Sequence, residues 1–207
     1  MRLIHTSMFV ALAAFGLTAC NKQPDTATDT AAASAETAAP AATPADAPPP
    51  MMEAAATATA MAELAPTQGN ETKGSVSFKM VDGHVHVTGQ VSGLKPGSEH
   101  GFHIHEKGDC SAPDGASAGG HFNPGTQDHG SVASDPHHGG DMPNIKANAE
   151  GIAMIDAPVS TNVNIGKGDG FDIIGRGLIV HADADDYKTQ PTGNAGARLA
   201  CAVIKAQ

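Results

Sequence analysis

Residues 101–110 read GFHIHEKGDC, and in a strand His103 and His105, two positions apart, project from one face where both can grip one ion. Downstream lie His121, His129, His137, His138 and Asp141, all in one long segment, and His181 closes a later apolar run. Neutral imidazole is the commonest side-chain ligand of zinc and copper. Several imidazoles together favour Cu(II), and a carboxylate among imidazoles suits a closed tetrahedral zinc site. The spacing therefore supports a metal protein, with room for two different ions. The bland alternative is a His-rich loop that only buffers metal.

A second pair, His84-Val85-His86, has the same spacing. Val85, Val87 and Val91 form the inward face of that run, which puts His84 and His86 outside with Thr88 and Gln90. The pair is expected to be two exposed histidines with at most a weak hold on stray metal.

The elements that must carry these residues read as β. Ser75 to Met80 and His84 to Val91 alternate polar and apolar, with Asp82-Gly83 between them as a hairpin turn. Ile145 to Ala149 and Ile152 to Ile155 flank Glu150-Gly151, a second expected hairpin. Gly177 to Val180 and Leu199 to Ile204 are short apolar strands. No stretch of this region sustains a helical apolar period, so an antiparallel sandwich or barrel is expected. Glu106 to Asn144 lacks strand signals, and a loop of that length is usually functional.

The first third of the chain is different. Residues 1–19 carry Arg2 and then an apolar run from Met8 to Leu17, short for a membrane span and suited to an export signal. Leu17-Thr18-Ala19-Cys20 resembles a bacterial lipobox, which implies cleavage before Cys20 and a diacylglycerol on its thiol. An ordinary signal peptide with a chance cysteine, or an uncleaved anchor, is the alternative. From Cys20 to Gln68 the composition is Ala, Thr and Pro with scattered acids, read as a disordered tether. As a flexible coil it would span roughly 40 Å root-mean-square. A short Ala-rich helix around 51–64 would not change that reading. Residues 69–207 are then one domain.

That domain has 16 acidic and 10 basic residues, a net charge of −6, which argues against nucleic acid or an anionic membrane as its partner. With Cys20 set aside for lipid, Cys110 and Cys201 remain, and export permits a disulfide between them. Two free thiols are the alternative.

Five segments, GFHIHEKGDC, GGHFNPGTQDHG, HHGGDMPN, GRGLIVHADADDY and GNAGARLAC, in that order, resemble the signature segments of the copper,zinc superoxide dismutases over most of residues 71–205. The resemblance implies an all-β fold, an eight-stranded flattened Greek-key barrel of immunoglobulin-like sandwich architecture with long metal-binding loops. It implies one copper ion held by His103, His105, His121 and His181, and one zinc ion held by His121, His129, His138 and Asp141, with His121 bridging as an imidazolate. An imidazole loses its second proton near neutral pH only with a cation on each nitrogen, so the two sites form one unit. His138 is preferred over His137 because the family motif puts the ligand three residues before the aspartate.

Asp185 corresponds to an aspartate that joins a copper ligand to a zinc ligand, here His103 and His129, and His100 to a structural histidine. The implied activity is dismutation of superoxide to dioxygen and hydrogen peroxide, with an acid–base role for His121 and with Arg198 beside the open copper face. Lys107 and Lys188 are candidates for steering, against the simpler reading of solvated surface lysines. A Cys110–Cys201 bridge would help fix Arg198. The alternative function is a non-catalytic copper- and zinc-binding or buffering lipoprotein of the envelope. Location facing the periplasm is expected, in the outer membrane since Asn21 replaces the aspartate of inner-membrane retention. Monomer and homodimer both remain open.

Overall fold

The computed structural model describes residues 58–207. The export signal, Cys20 and the tether as far as residue 57 lie outside the described residues.

The longer strands follow from alternation or short apolar runs that face a common core. β1 (Thr59–Pro66) is the exception, because it lies where a tether was expected. Its inward residues are Ala60, Ala62 and Leu64, all buried, and two of them are too small to announce a strand. The partners make it one: β2 (Lys73–Val81) pairs along one edge, and β9 (Arg198–Val203) with β10 (Lys205–Ala206) along the other. The domain therefore starts about ten residues earlier than expected, and tertiary pairing overrides weak local propensity.

β2 turns directly into β3 (His84–Ser92), with Val81 opposite His84. Asp82 and Gly83 have φ of 50° and 84°, the left-handed pair that a tight hairpin with native twist requires. β3 then pairs with β7 (Ala153–Pro158), a crossover over the intervening segments that makes the topology a Greek key. Those segments are β4 (Glu99–His100), β5 (Phe102–His105) and β6 (Ile145–Lys146). The second expected hairpin is only a turn: Asn148 N–H bonds the Ile152 carbonyl at 2.9 Å, but β6 pairs with β4 while β7 pairs with β3.

β5 pairs with β8 (Gly177–His181), which pairs with β9. β4 and β5 are one segment interrupted at Gly101, and β9 and β10 one interrupted at Ile204. The described residues thus form eight antiparallel staves, and the sheet curls towards closure through β4 and β6. No α-helix occurs among the described residues; one 3-10 turn spans Ala116–Ala118.

Phe78, Val85, Val87, Phe102, Ile104, Leu178, Val180 and Ile204 fill the interior. β5 and β8 are buried on both faces. Their second face is covered by the long segment 106–144, which packs Ala118 against Ile179 and Cys201 in a small separate cluster. A Cys110–Cys201 disulfide fastens the same segment to β9, with Cα atoms 5.8 Å apart and a sequence separation of 91. In the chain-entropy model such a closure removes about 4 to 5 kcal/mol of unfolded-state entropy.

Candidate metal centre

The segment 106–144 is laid against β5 by backbone bonds. Phe122 N–H donates to the Ile104 carbonyl (2.9 Å), Ile104 N–H to Gly140 (2.9 Å) and Gly140 N–H to Phe122 (2.7 Å). Gly140 has to be glycine, since a Cβ there would lie 2.1 Å from the Ile104 oxygen. This lacing brings His121 over the outer face of β5, bridged to His105, while His181 enters at the end of β8 beside a register shift.

Two clusters result, His103, His105, His121 and His181, and His121, His129, His138 and Asp141, each with its donor atoms within 4.8 Å of one another and every member buried. His121 belongs to both. In the first cluster the outward nitrogens are tied off. His103 Nε2 donates to Asp185 Oδ2 (2.8 Å), His105 Nδ1 to the Gly119 carbonyl (2.9 Å) and His181 Nδ1 to the Gly196 carbonyl (3.2 Å). The nitrogens that remain are His103 Nδ1, His105 Nε2, His181 Nε2 and His121 Nε2. Two of them, His103 Nδ1 and His121 Nε2, are buried with no hydrogen-bond partner. Orphaned buried nitrogens are costly unless something binds them, so this donor set fits a metal ion.

In the second cluster Asp141 Oδ1 lies 2.9 Å from His121 Nδ1 and 3.0 Å from His129 Nδ1, with His138 Nδ1 3.5 Å away. Its other oxygen accepts the backbone N–H groups of Gly130 and His138 (3.1 and 2.8 Å), which holds the carboxylate in place. Three imidazole nitrogens and one carboxylate oxygen fit closed tetrahedral zinc. His137 turns elsewhere, with Nδ1 donating to the Ser134 carbonyl (2.9 Å) and Nε2 bonded to Ser160 Oγ (3.0 Å).

Asp185 spans the two clusters, accepting from His103 and, through Oδ1, from His129 Nε2 at 2.9 Å. Its support was not legible in the sequence. Asn144 bonds the Asp185 backbone in both directions at 2.9 Å, and its own N–H donates to the Tyr187 hydroxyl at 2.7 Å. Gly193 lets the chain pass so close that a Cβ would fall 1.8 Å from Asp185 Oδ1 and 2.6 Å from His129 Nε2. Gln190 clamps the His129 backbone, accepting from its N–H and donating to its carbonyl, both at 2.9 Å.

Burial holds His121 down at about 4 and His181 at about 3, and with neighbouring His121 it keeps His105 well below the usual imidazole value, so these rings are neutral and able to donate to a cation. At His129 burial pulls the same way, but the Asp141 and Asp185 carboxylates outweigh it and raise the ring to about 9. Burial by itself would raise both carboxylates. Their bonds to the surrounding imidazoles instead hold them below the ordinary carboxylate range.

Arg198 faces His181 across the ladder. Its guanidinium donates to the carbonyls of Gly115 and Gly119, both at 2.6 Å, so Gly119 serves both Arg198 and His105. His100 is braced between the His181 carbonyl (2.8 Å) and Ser98 Oγ (2.6 Å), away from both clusters. Lys107 is exposed and pairs with Glu106 at 3.5 Å, and Lys188 is exposed.

Comparison with known proteins agrees with this arrangement. Residues 72–204 match the copper/zinc superoxide dismutase (SODC) family. The chain is 39% identical to superoxide dismutase [Cu-Zn] 2 of Aquifex aeolicus, over 70% of this chain and 86% of that protein. Among solved structures it is similar to the clock protein EA4, with a TM-score of 0.63 and 39% identity over 72% of this chain and 94% of that one. It is also similar to a mutant of a superoxide dismutase-like protein from Bacillus subtilis, with a TM-score of 0.62 and 36% identity over 69% and 95%. The family match takes in β2 to β9, the lacing segment and both clusters, and the chain belongs to the copper/zinc superoxide dismutase family.

Proposed function

We propose that this protein converts two superoxide anions and two protons into dioxygen and hydrogen peroxide, with one copper and one zinc ion per chain. The carrying observation is His121, which turns Nε2 to one cluster and Nδ1 to the other. His103, His105, His121 and His181 would hold copper, and His121, His129, His138 and Asp141 would hold zinc. Bound copper supplies the one-electron redox change, and zinc, which has none, supplies charge and fixes the segment around it.

The residues do the rest. Asp185 and the backbone carbonyls of Gly119 and Gly196 fix which nitrogen each copper-side ring presents. His121 Nε2 is the atom at which a proton can be held and delivered to the departing peroxide. Arg198 answers the problem of an anionic domain with an anionic substrate: its planar, permanently charged guanidinium is held rigid beside His181 and offers a local docking point.

The protein would act in the cell envelope, tethered through lipid on Cys20 and facing the periplasm. Superoxide consumption by copper- and zinc-loaded protein, with and without cyanide, tests the reading. Cyanide-sensitive turnover supports it, and two bound metals without turnover would leave a metal-buffering lipoprotein.

A further inference from the structure

Asp185 serves His103 and His129 together only while its carboxylate keeps one orientation, and a residue two positions on helps to hold it. Tyr187 N–H donates to Asp185 Oδ1 at 2.6 Å, the same oxygen that accepts His129 Nε2, and Oδ2 is left to His103 Nε2. The Tyr187 hydroxyl accepts the Asn144 main-chain N–H at 2.7 Å, and the Asn144 side chain grips the Asp185 main chain through two bonds of 2.9 Å. Asn144 follows the ligand Asp141 by three residues, so this contact joins the metal-binding segment to the loop that carries Asp185. Tyr187 has φ of 58°, a left-handed conformation that bulky side chains rarely adopt. The turn around it is closed by other groups: Asp186 Oδ1 accepts the N–H groups of Lys188 and Thr189 at 2.9 and 2.8 Å, and Asp186 N–H donates to the Gly193 carbonyl at 2.9 Å. A glycine would take this φ without strain and keep the N–H bond. The hydroxyl contact is what the strained tyrosine adds.

We propose that Tyr187 is a positioning residue for both metal clusters: its N–H sets the Asp185 carboxylate, and its hydroxyl, through Asn144, sets the main chain beneath that carboxylate. The inference rests on the reading that the clusters hold copper and zinc, and it extends that reading to how long the ions stay. Asp185 bonds one ring of each cluster, so a looser Asp185 frees His103 and His129 to turn and lets both ions leave faster. One neutral hydrogen bond contributes less than a buried carboxylate, so the effect is smaller than that of removing Asp185 itself.

The test mixes full-length protein, loaded with copper and zinc, with excess EDTA and counts the ions still bound over time by mass spectrometry. Tyr187→Phe keeps the ring and the main-chain bond, and it is expected to release both ions roughly 3- to 10-fold faster than the parent. Tyr187→Gly relieves the backbone strain and should release both faster as well. A double-variant cycle with Asp185→Ala separates positioning from plain stability. Tyr187 acts through that carboxylate, so Tyr187→Phe should add little once the carboxylate is gone. A tyrosine that only steadied the fold would speed release by the same factor in both backgrounds. That equality, or release of either ion at the parental rate from Tyr187→Phe or Tyr187→Gly, overturns the proposal. A parent that binds neither ion overturns the two-metal reading and this inference with it.

Discussion

His84-Val85-His86 and His103-Ile104-His105 have the same spacing, both lie on strands, and each places its middle residue in the core at 0% exposure. They differ in what lies over the other face. Above β3 is solvent, with Asp156 as the one carboxylate bonded to either ring. Above β5 lies the disulfide-fastened segment 106–144, which brings His121 into place, while β8 adds His181. Spacing makes a chelate possible, but burial and tied-off outer nitrogens make a resident site. In the open pair a carboxylate meets the tip of one ring. In the buried pair Asp185 and Gly119 hold the far nitrogen of each and leave the near one aimed inward.

The sharpest way to break this comparison is to cut one ligand from each pair. His105→Ala is expected to lower superoxide consumption by roughly a hundredfold or more, because it removes one of four donors that fix the geometry of the redox ion. His84→Ala should leave that rate unchanged. Comparable losses in a stopped-flow assay would put the two pairs on an equal footing. The next effect probes the tied nitrogens: Asp185→Asn should weaken metal retention by about 10- to 100-fold, seen in metal content after dialysis against a chelator.

Smaller again is the effect of the charge beside the buried pair. Arg198→Ala should leave copper content intact and lower kcat/KM by about tenfold, with a shallower dependence on ionic strength. An unchanged rate at low salt would remove Arg198 from the mechanism.

The mildest test uses pH on metal-stripped protein. His121 and His181 titrate near 4 and 3 when folded and near 6.5 when unfolded, so the unfolded chain binds more protons between those values. Their contribution lowers stability as pH falls through that window. His129, raised to about 9, contributes stability that is full below about 6.5 and lost as pH rises through 9. Denaturant midpoints should therefore peak near pH 6.5 and decline on both sides, and a profile flat from 4 to 9 would contradict the burial of these rings.

How much of this was legible in the sequence depended on side-chain size and on whether a residue's type points to a metal or only to a neighbour's main chain. β2 and β3 could be read because Val76, Phe78, Val85 and Val87 are large and alternate with polar residues. β1 could not, because Ala60 and Ala62 bury too little surface to show a period and one of its two edges pairs with residues more than a hundred positions away. The donor types and two-cluster grouping were legible as imidazoles and a carboxylate in motif order. Asn144, Tyr187 and Gln190 were invisible, since their side chains bond main-chain groups of residues distant in sequence or beside the site, and Gly193 acts by leaving room; only coordinates reveal such contacts.

The central claim is that one ring, His121, serves two ions at once. The most direct test fills the copper cluster with Cu(II) and the His129–His138–Asp141 cluster with paramagnetic Co(II), and records the copper resonance at low temperature. A shared imidazolate couples the two spins, so the account predicts that the Cu(II) signal vanishes with cobalt and persists with zinc. An undiminished copper signal beside bound cobalt would contradict it.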